Sequence, residues 1–600
     1  MEKIIYTRKP FSFKDSISRG FAEMLSFAHR NIPSTSLTLA IEVFSSHRSI
    51  NAMYLFRKLI YVIPIILFAS CKQPTIDHED GLAAFSADSL KLHVSVLASD
   101  SFMGRKPFTE GETKTIDYLQ HQFAIAGLEP GNGNSYLQEV PMVNIKTTAA
   151  PTMQVKSAKG NFDLKAFEDY IIWTDKTDPE VSLKDNELVF AGYGVVAPEY
   201  NWNDYAGIDV KGKVVLVMVN DPGWNTDSTL FKGKAMTYYG RWTYKFEEAA
   251  RQGAKGCLVI HNTAAASYPF AIPQNSHNAS RLQLDPRGKN IKNCDVVGWI
   301  QEPIAKKLLI NAGLDTNLLV KANERGAKAV SLNMTVSTSM KVEATYNKSQ
   351  NVIGKITGSK HPDEVIIYTS HWDHLGIGKP DEKGDSIYNG AYDNASGTAG
   401  MLELARAFKS MKTKPERTII ILSVTSEEQG LQGSAYYAQN PIYPSDKTLA
   451  NINIDELNRF GKTKDIVVVG EGQSELEDYL KEEAEKMGRY IAYESHPEAG
   501  HYYRSDHFNF AKAGIPALFV NNGIDVEGKG KEYGQKIDDD YNANNYHRPS
   551  DSFDATTWTM DGGIDDLKLL FQVGKRLAFA AKMPAWKIGS EFKSIREGKK

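Results

Sequence analysis

The chain has 600 residues, 42% of them hydrophobic and 24% charged, with a formal net charge of −3. That length and balance describe a folded soluble protein of two or three domains with sizeable cores. The near-neutral charge leaves no broad basic field, which removes nucleic acid as the main partner.

In chain order, the first distinctive segment runs from Met53 to Cys71. Arg57 and Lys58 precede a short apolar run containing Pro64, and Ala69-Ser70 stand directly before Cys71, the layout of an export signal. The run is too short to span a bilayer comfortably. It resembles a bacterial lipoprotein signal, in which Cys71 becomes the lipidated first residue; Phe68 departs from the usual Leu. An ordinary cleaved signal or an uncleaved anchor would export the chain equally. Met53 makes a better start for such a signal than Met1. Residues 1–71 are therefore expected to be an extension plus signal, and 72–88 a tether. The mature protein is expected outside a bacterial cytoplasm, on the periplasmic or cell-surface side, with Cys71 as its only membrane attachment. Of the 3 cysteines, Cys257 and Cys294 remain; an oxidising compartment permits their pairing without demanding it.

Residues 89–186 begin as helical sequence, with an apolar stripe at Ile116, Leu119, Phe123 and Ala126 that stops near Gly127. They are expected to form the N-terminal part of the main domain. From Glu187 the pattern changes to short strands, among them 212–219 and 256–260, with a helix ending on Gly253 between those two. Residues 187–336 thus read as a separate β-rich module. It offers no His, Asp and Glu cluster with ligand spacing.

Strand and helix alternate over 345–582. Apolar runs at 365–370, 417–424, 451–455, 465–469 and 516–520 are separated by helical patterns. This predicts an α/β domain with a central, mostly parallel mixed sheet flanked by helices, whose site lies at the carboxyl ends of the strands. Polar residues of metal-binding type stand at those ends: His371, Asp393, Glu427-Glu428, Asp455 and, late in the chain, His547. Five candidate ligands exceed the three of a catalytic single-zinc site and suit two metals sharing a carboxylate. In a regular strand Glu427 and Glu428 would point to opposite faces. Held by a turn, one can ligate metal, here Glu428, while Glu427 stays free as the general base for a metal-bridged water.

The segments HWDHLG, YDNASG, SEEQGLQGS, NIDEL and HRPSD, in this order, resemble the co-catalytic zinc exopeptidases that include secreted bacterial aminopeptidases and glutamate-carboxypeptidase-like proteins. The resemblance implies two Zn²⁺ per chain, with Mn²⁺ or Co²⁺ as substitutes. It places His371 and Asp455 on one ion, Glu428 and His547 on the other, and Asp393 between them. It also implies a cis peptide at Asp393-Asn394, Asp373 orienting His371, and Tyr502 supporting the oxyanion, with Tyr503 as competitor. The stretch AGYGVVAPEYNWNDYAGIDVKGKVVLV with AARQGAKGCLVI is similar to the protease-associated (PA) domain that many members carry as an insertion.

The activity so implied is an extracytoplasmic zinc aminopeptidase acting on the N-termini of peptides. A glutamate-carboxypeptidase-like exopeptidase is the alternative, with Arg504 and Arg548 the obvious partners for a substrate carboxylate. A non-catalytic receptor relative is a third reading, and it predicts lost ligands.

Overall fold

A computed structural model describes residues 77–598. The segment from Met53, Cys71 with its expected lipid, and the first part of the expected tether lie outside them. The remainder of that tether is not free chain. Asp80 accepts the backbone N–H groups of Lys412 and Thr413 at 2.9 and 3.0 Å, and Lys575 Nζ donates to the carbonyl of Asp80 at 2.8 Å. No helix of the described residues is long and apolar enough to cross a membrane.

The C-terminal sheet is mixed and mostly parallel, as the alternation predicts. At its centre His361–His371 lies parallel to Arg417–Val424 on one side and to Thr448–Asn453 on the other. Ala517–Asn521 continues the parallel run. Asp465–Val468 then pairs antiparallel with Ala517–Asn521, and Tyr490–Tyr493 lies beyond it. Arg417–Val424 and Thr448–Asn453 are buried along their whole length, which is why they read as unbroken apolar runs rather than alternations. Their side chains still divide by period two. Ile366, Tyr368, Ile419 and Ile421 join the core beneath helices Gly397–Ser410 and Asp561–Phe579. Val365, Ile367, Ile420 and Leu422 pack on the opposite face against Tyr437 and Phe510.

The β-rich module has its own parallel strands, Val296–Gln301, Gly256–His261, Val214–Met218 and Glu180–Phe190, in that spatial order. Its boundary is not at 187. Tyr170–Trp173 pairs with Val296–Gln301, and Val143, Met153, Leu164 and Val181 share one core with Leu216, Leu258 and Leu308. Residues from about 143 to 186 therefore belong to the module rather than to the α/β domain. The cause is Val330–Ile356, a single strand of 27 residues. Its middle pairs with Leu137–Ala149 and its end, from Val352, with Arg417–Val424. One ribbon thus serves both cores, and no composition break marks the crossing. Cys257 and Cys294 are both buried and free.

The module also docks through side chains. The Tyr503 hydroxyl donates to the Met236 carbonyl at 3.1 Å and to Glu591 at 2.7 Å. Lys512 pairs with Glu247 at 2.7 Å, and Met236 N–H donates to the Pro497 carbonyl at 3.0 Å. The 236–247 segment is thereby held beside residues 497–512.

Candidate metal centre

Three neighbouring strands deliver the donors at their carboxyl ends. His371 is the last residue of His361–His371, Asp455 follows Thr448–Asn453 by two residues, and the two glutamates follow Arg417–Val424. Ser426 has φ 55, a left-handed conformation uncommon for a residue with a Cβ. It takes the chain out of the strand before Glu427, so strand alternation no longer applies. Glu427 and Glu428 consequently face the same cavity.

Asp393 lies at the centre of the cluster. Its Oδ1 is 3.2 Å from His371 Nε2 and its Oδ2 3.2 Å from His547 Nε2. His371 Nε2 is also 3.1 Å from Asp455 Oδ1, and His547 Nε2 is 3.0 Å from Glu428 Oε2. Glu427 Oε2 stands back, 4.0 Å from His371 Nε2. The five expected ligands converge, with Glu427 beside them, and the Asp393-Asn394 peptide is cis. Among the described residues two groups lie close enough to hold an ion: His371, Glu427 and Asp455, and His374, Asp393 and Glu428. His374 is fully buried with Nδ1 2.5 Å from Glu428 Oε1, whereas the His547 side chain is 35% exposed. A catalytic ion keeps a position open to substrate, which favours His547 as the ligand and leaves His374 bearing on the outer oxygen of Glu428.

Electrostatics fit cations at this place. Asp393, Glu427, Glu428 and Asp455 crowd one cavity, an arrangement costly without positive charge among them. Burial pushes the Glu427 carboxyl well up, and the charges of Asp455 and Glu428 add to the rise. Burial and the Asp393 charge also push Glu428 up, but His374 and His547 outweigh them and hold it down to about 2. Burial opposes charge on His547 as well, yet its bonds to Asp393 and Glu428 hold its pKa up to about 10. Glu428 Oε1 and both His374 nitrogens lack a well-formed hydrogen bond. A donor set of carboxylate oxygen and imidazole nitrogen suits zinc and its divalent neighbours.

The supports around the donors differ in part from expectation. His371 Nδ1 is 3.1 Å from the backbone carbonyl of Asp373 and 3.8 Å from its carboxylate. That carboxylate instead accepts the Glu427 N–H at 3.0 Å, so Asp373 acts on the general-base candidate more than on the histidine. Asp551 accepts the N–H groups of Tyr392 and Asp393 at 3.0 and 3.1 Å and fixes the backbone that carries the Asp393 carboxylate. Arg105, fully buried, was not singled out by sequence. It donates to the carbonyls of Trp372, Leu97, Asn389 and Gly390 at 2.6–2.9 Å. It ties together the two loops that carry His371 and Asp393.

Tyr502 does not reach the donors. It is buried in an apolar cluster with Met236, Phe508 and Trp586, and its ring meets Tyr503, His507 and Phe592. A tyrosine that does lie at the site is Tyr546. Its ring stacks on His547 at 3.8 Å, it is 44% exposed, and its hydroxyl lies within electrostatic reach of Asp393, Glu428 and Glu427. Its adjacency to His547 was the available signal. Glu456, half-buried, joins the same field beside Asp455 and Asp393.

Residues 351–571 match the model of peptidase family M28. Aminopeptidase YwaD of Bacillus subtilis (strain 168) is 32% identical over 338 residues, 54% of this chain and 57% of that protein. A probable zinc metalloprotease of Pyrenophora tritici-repentis is 41% identical over 105 residues, 18% of this chain and 21% of that protein. The chain thus spans about a fifth to just over half the length of these curated relatives. Among solved structures, an aminopeptidase from Aneurinibacillus sp. strain AM-1 aligns with a TM-score of 0.45 at 19% identity, over 83% of this chain and 96% of that one. The segment 351–571, which encloses every donor described above, belongs to peptidase family M28.

Proposed function

We propose that the protein is a zinc-dependent aminopeptidase that removes N-terminal residues from peptides. The observation that carries this reading is Asp393, with one oxygen toward His371 and the other toward His547 and Glu427 free beside them. His371 and Asp455 would hold one zinc ion, His547 and Glu428 a second, and Asp393 would lie between. Bound there, such ions supply Lewis-acid polarisation of the scissile carbonyl and make water more acidic. Glu427 takes the proton of the attacking water and returns it to the departing amine, for which a carboxyl lifted by burial is suited. The Tyr546 hydroxyl donates to the carbonyl oxygen as charge builds on it. Glu456, whose side chain has no hydrogen bond among the described residues, is placed to receive the α-ammonium of the substrate.

Glu456 favours the aminopeptidase over the carboxypeptidase alternative: burial and the charges of Asp393 and Asp455 push its carboxyl well up, and an arriving α-ammonium is the group that would let it ionise. A non-catalytic receptor is disfavoured because no donor has been lost. The name of YwaD, an aminopeptidase, agrees with this reading. The test is hydrolysis of leucyl-arylamide by purified protein. It should be chelator-sensitive and zinc-restorable, Glu427→Gln should abolish turnover with metal retained, and equal cleavage of N-acetylated peptides would overturn the assignment.

We further propose that the β-rich module is a PA-like insertion and that Cys71 anchors an exported protein by lipid. Metabolic labelling with a fatty acid, lost in Cys71→Ala, tests the anchor; unchanged labelling in that variant contradicts it.

A further inference from the structure

The stretch 99–112 lies outside the donor motifs, yet it carries two buried charges, Arg105 and Glu112. Arg105 braces the loops of His371 and Asp393. Glu112 stands in the first turn of helix Glu110–Ile125. Gly111 packs that turn onto the Arg105 loop, since a Cβ there would stand 2.5 Å from the Phe102 carbonyl oxygen and 3.2 Å from the Arg105 nitrogen. Both charges thus belong to one packed body.

No cation pairs with Glu112 among the described residues. Its Oε2 accepts the N–H of Phe108, and its Oε1 accepts the hydroxyl of Ser349. Burial raises the carboxyl, and these bonds offset part of the rise. A buried acid without a cation is costly where an apolar side chain could pack, so its partners point to what it does.

Ser349 lies on Val330–Ile356, three residues before the stretch that pairs with Arg417–Val424. Its Oγ is 2.6 Å from Thr425 Oγ1, and Thr425 Oγ1 is 3.1 Å from Ser426 Oγ. A carboxylate only accepts hydrogen bonds, and each hydroxyl has one proton to give. Once Ser349 donates to Glu112, Thr425 must donate to Ser349, which leaves Thr425 Oγ1 to accept from Ser426. Met142 Sδ, 3.6 Å from Ser426 Oγ, is the weaker acceptor. The three hydroxyls, all fully buried, therefore run one way, from the turn toward Glu112.

The chain begins on the residue that sets the direction of the general base. Asn351 fixes both ends of the turn: its Oδ1 accepts the Thr425 N–H at 3.1 Å, and its Nδ2 donates to the Gly433 carbonyl at 3.0 Å. Asp373 holds the Glu427 N–H. Between these anchors Ser426, at φ 55, is the strained link, and the hydroxyl chain holds its side chain.

We propose that Glu112 is a positioning residue for Glu427: through Ser349 and Thr425 it keeps Ser426 in the left-handed conformation that turns the general base into the metal cavity. The proposal rests on the aminopeptidase reading and gives the N-terminal stretch a part in the chemical step.

Leucyl-arylamide hydrolysis, zinc content and Tm are measured for Glu112→Gln, Ser349→Ala, Thr425→Val and Thr425→Ser. The amide of Glu112→Gln can serve one of its two donors, but its N–H₂ group faces the other. In Glu112→Gln, Ser349→Ala and Thr425→Val, kcat should fall about 10- to 100-fold, with KM within about twofold and zinc content unchanged. Thr425→Ser keeps the hydroxyl and should keep kcat. Glu112→Gln combined with Thr425→Val should cost no more than the larger single loss, because both break one chain. Ser349→Ala and Thr425→Val carry the test if Glu112→Gln does not fold. Unchanged kcat in the three variants, additive losses in the double variant, or losses that follow zinc release overturn the positioning role alone. No hydrolysis by the unaltered protein, or full turnover in Glu427→Gln, sinks the aminopeptidase reading and the positioning role with it.

Discussion

The two carboxylate oxygens of Asp393 face different histidines, Oδ1 toward His371 and Oδ2 toward His547, each at 3.2 Å. Asparagine at this position offers one oxygen and one N–H₂ group and cannot serve both sides. Asp393→Asn should therefore lose at least one of two metal equivalents. Its kcat/KM should fall by more than about 100-fold, beyond the cost of removing an outer hydrogen-bond partner. Metal analysis alongside kinetics checks both.

Asp373 touches the general-base candidate through its backbone, accepting the Glu427 N–H at 3.0 Å. Burial raises the Asp373 carboxyl to about 8, so its role is as an acceptor in a dry setting. Asp373→Ala should lower kcat by about 10- to 100-fold with metal content unchanged. Asp373→Asn, which keeps an acceptor oxygen, should lose less. Loss of metal in the alanine variant would instead assign the residue to the histidine.

Tyrosines 502 and 546 give opposite expectations. Tyr546→Phe removes a donor beside the reacting centre and should lower kcat by about 10²- to 10³-fold. Tyr502→Phe removes a buried hydroxyl that has no hydrogen-bond partner. It should leave kcat within about twofold and not lower Tm, since deleting an unsatisfied polar group is neutral or stabilising. Steady-state kinetics and thermal melting of the pair decide the matter.

In metal-free protein, bonds to Asp393 and Glu428 outweigh burial and raise His547 to about 10, above its ordinary value near 6.5. A folded-state pKa raised in this way adds stability that is fully present below about 6.5 and is lost as pH rises through about 10. The Tm of chelated protein should decline across that window, and metal-loaded protein should not share the decline. Zinc must displace the proton, so its apparent affinity should rise with pH in the same range. Calorimetric titration in buffers of different ionisation enthalpy reads the proton released.

Much of this site was legible because its donors follow recognisable strands. His371, Glu428 and Asp455 each stand within a few residues of an apolar run whose burial is continuous, so strand ends and donors coincide. Asp393 and His547 were found through their motifs rather than their positions. Tyr502 was misplaced because the direction of a side chain on a short turn is set by packing, here against Met236 and Trp586, which lie far away in sequence. Arg105 was invisible for a related reason. Its partners are backbone carbonyls of Leu97, Trp372, Asn389 and Gly390, and carbonyls carry no signature of residue type. The module boundary was missed because Val330–Ile356 crosses between the cores as one strand, leaving no turn to mark the transition.

The measurement that bears most directly on the paired-metal site is a zinc titration of fully chelated protein, read by leucyl-arylamide hydrolysis. Activity should return in full at two equivalents per chain, and Glu427→Gln should bind the same two equivalents without turnover. Hydrolysis that persists after complete chelation, or full activity with no zinc retained, would contradict the account.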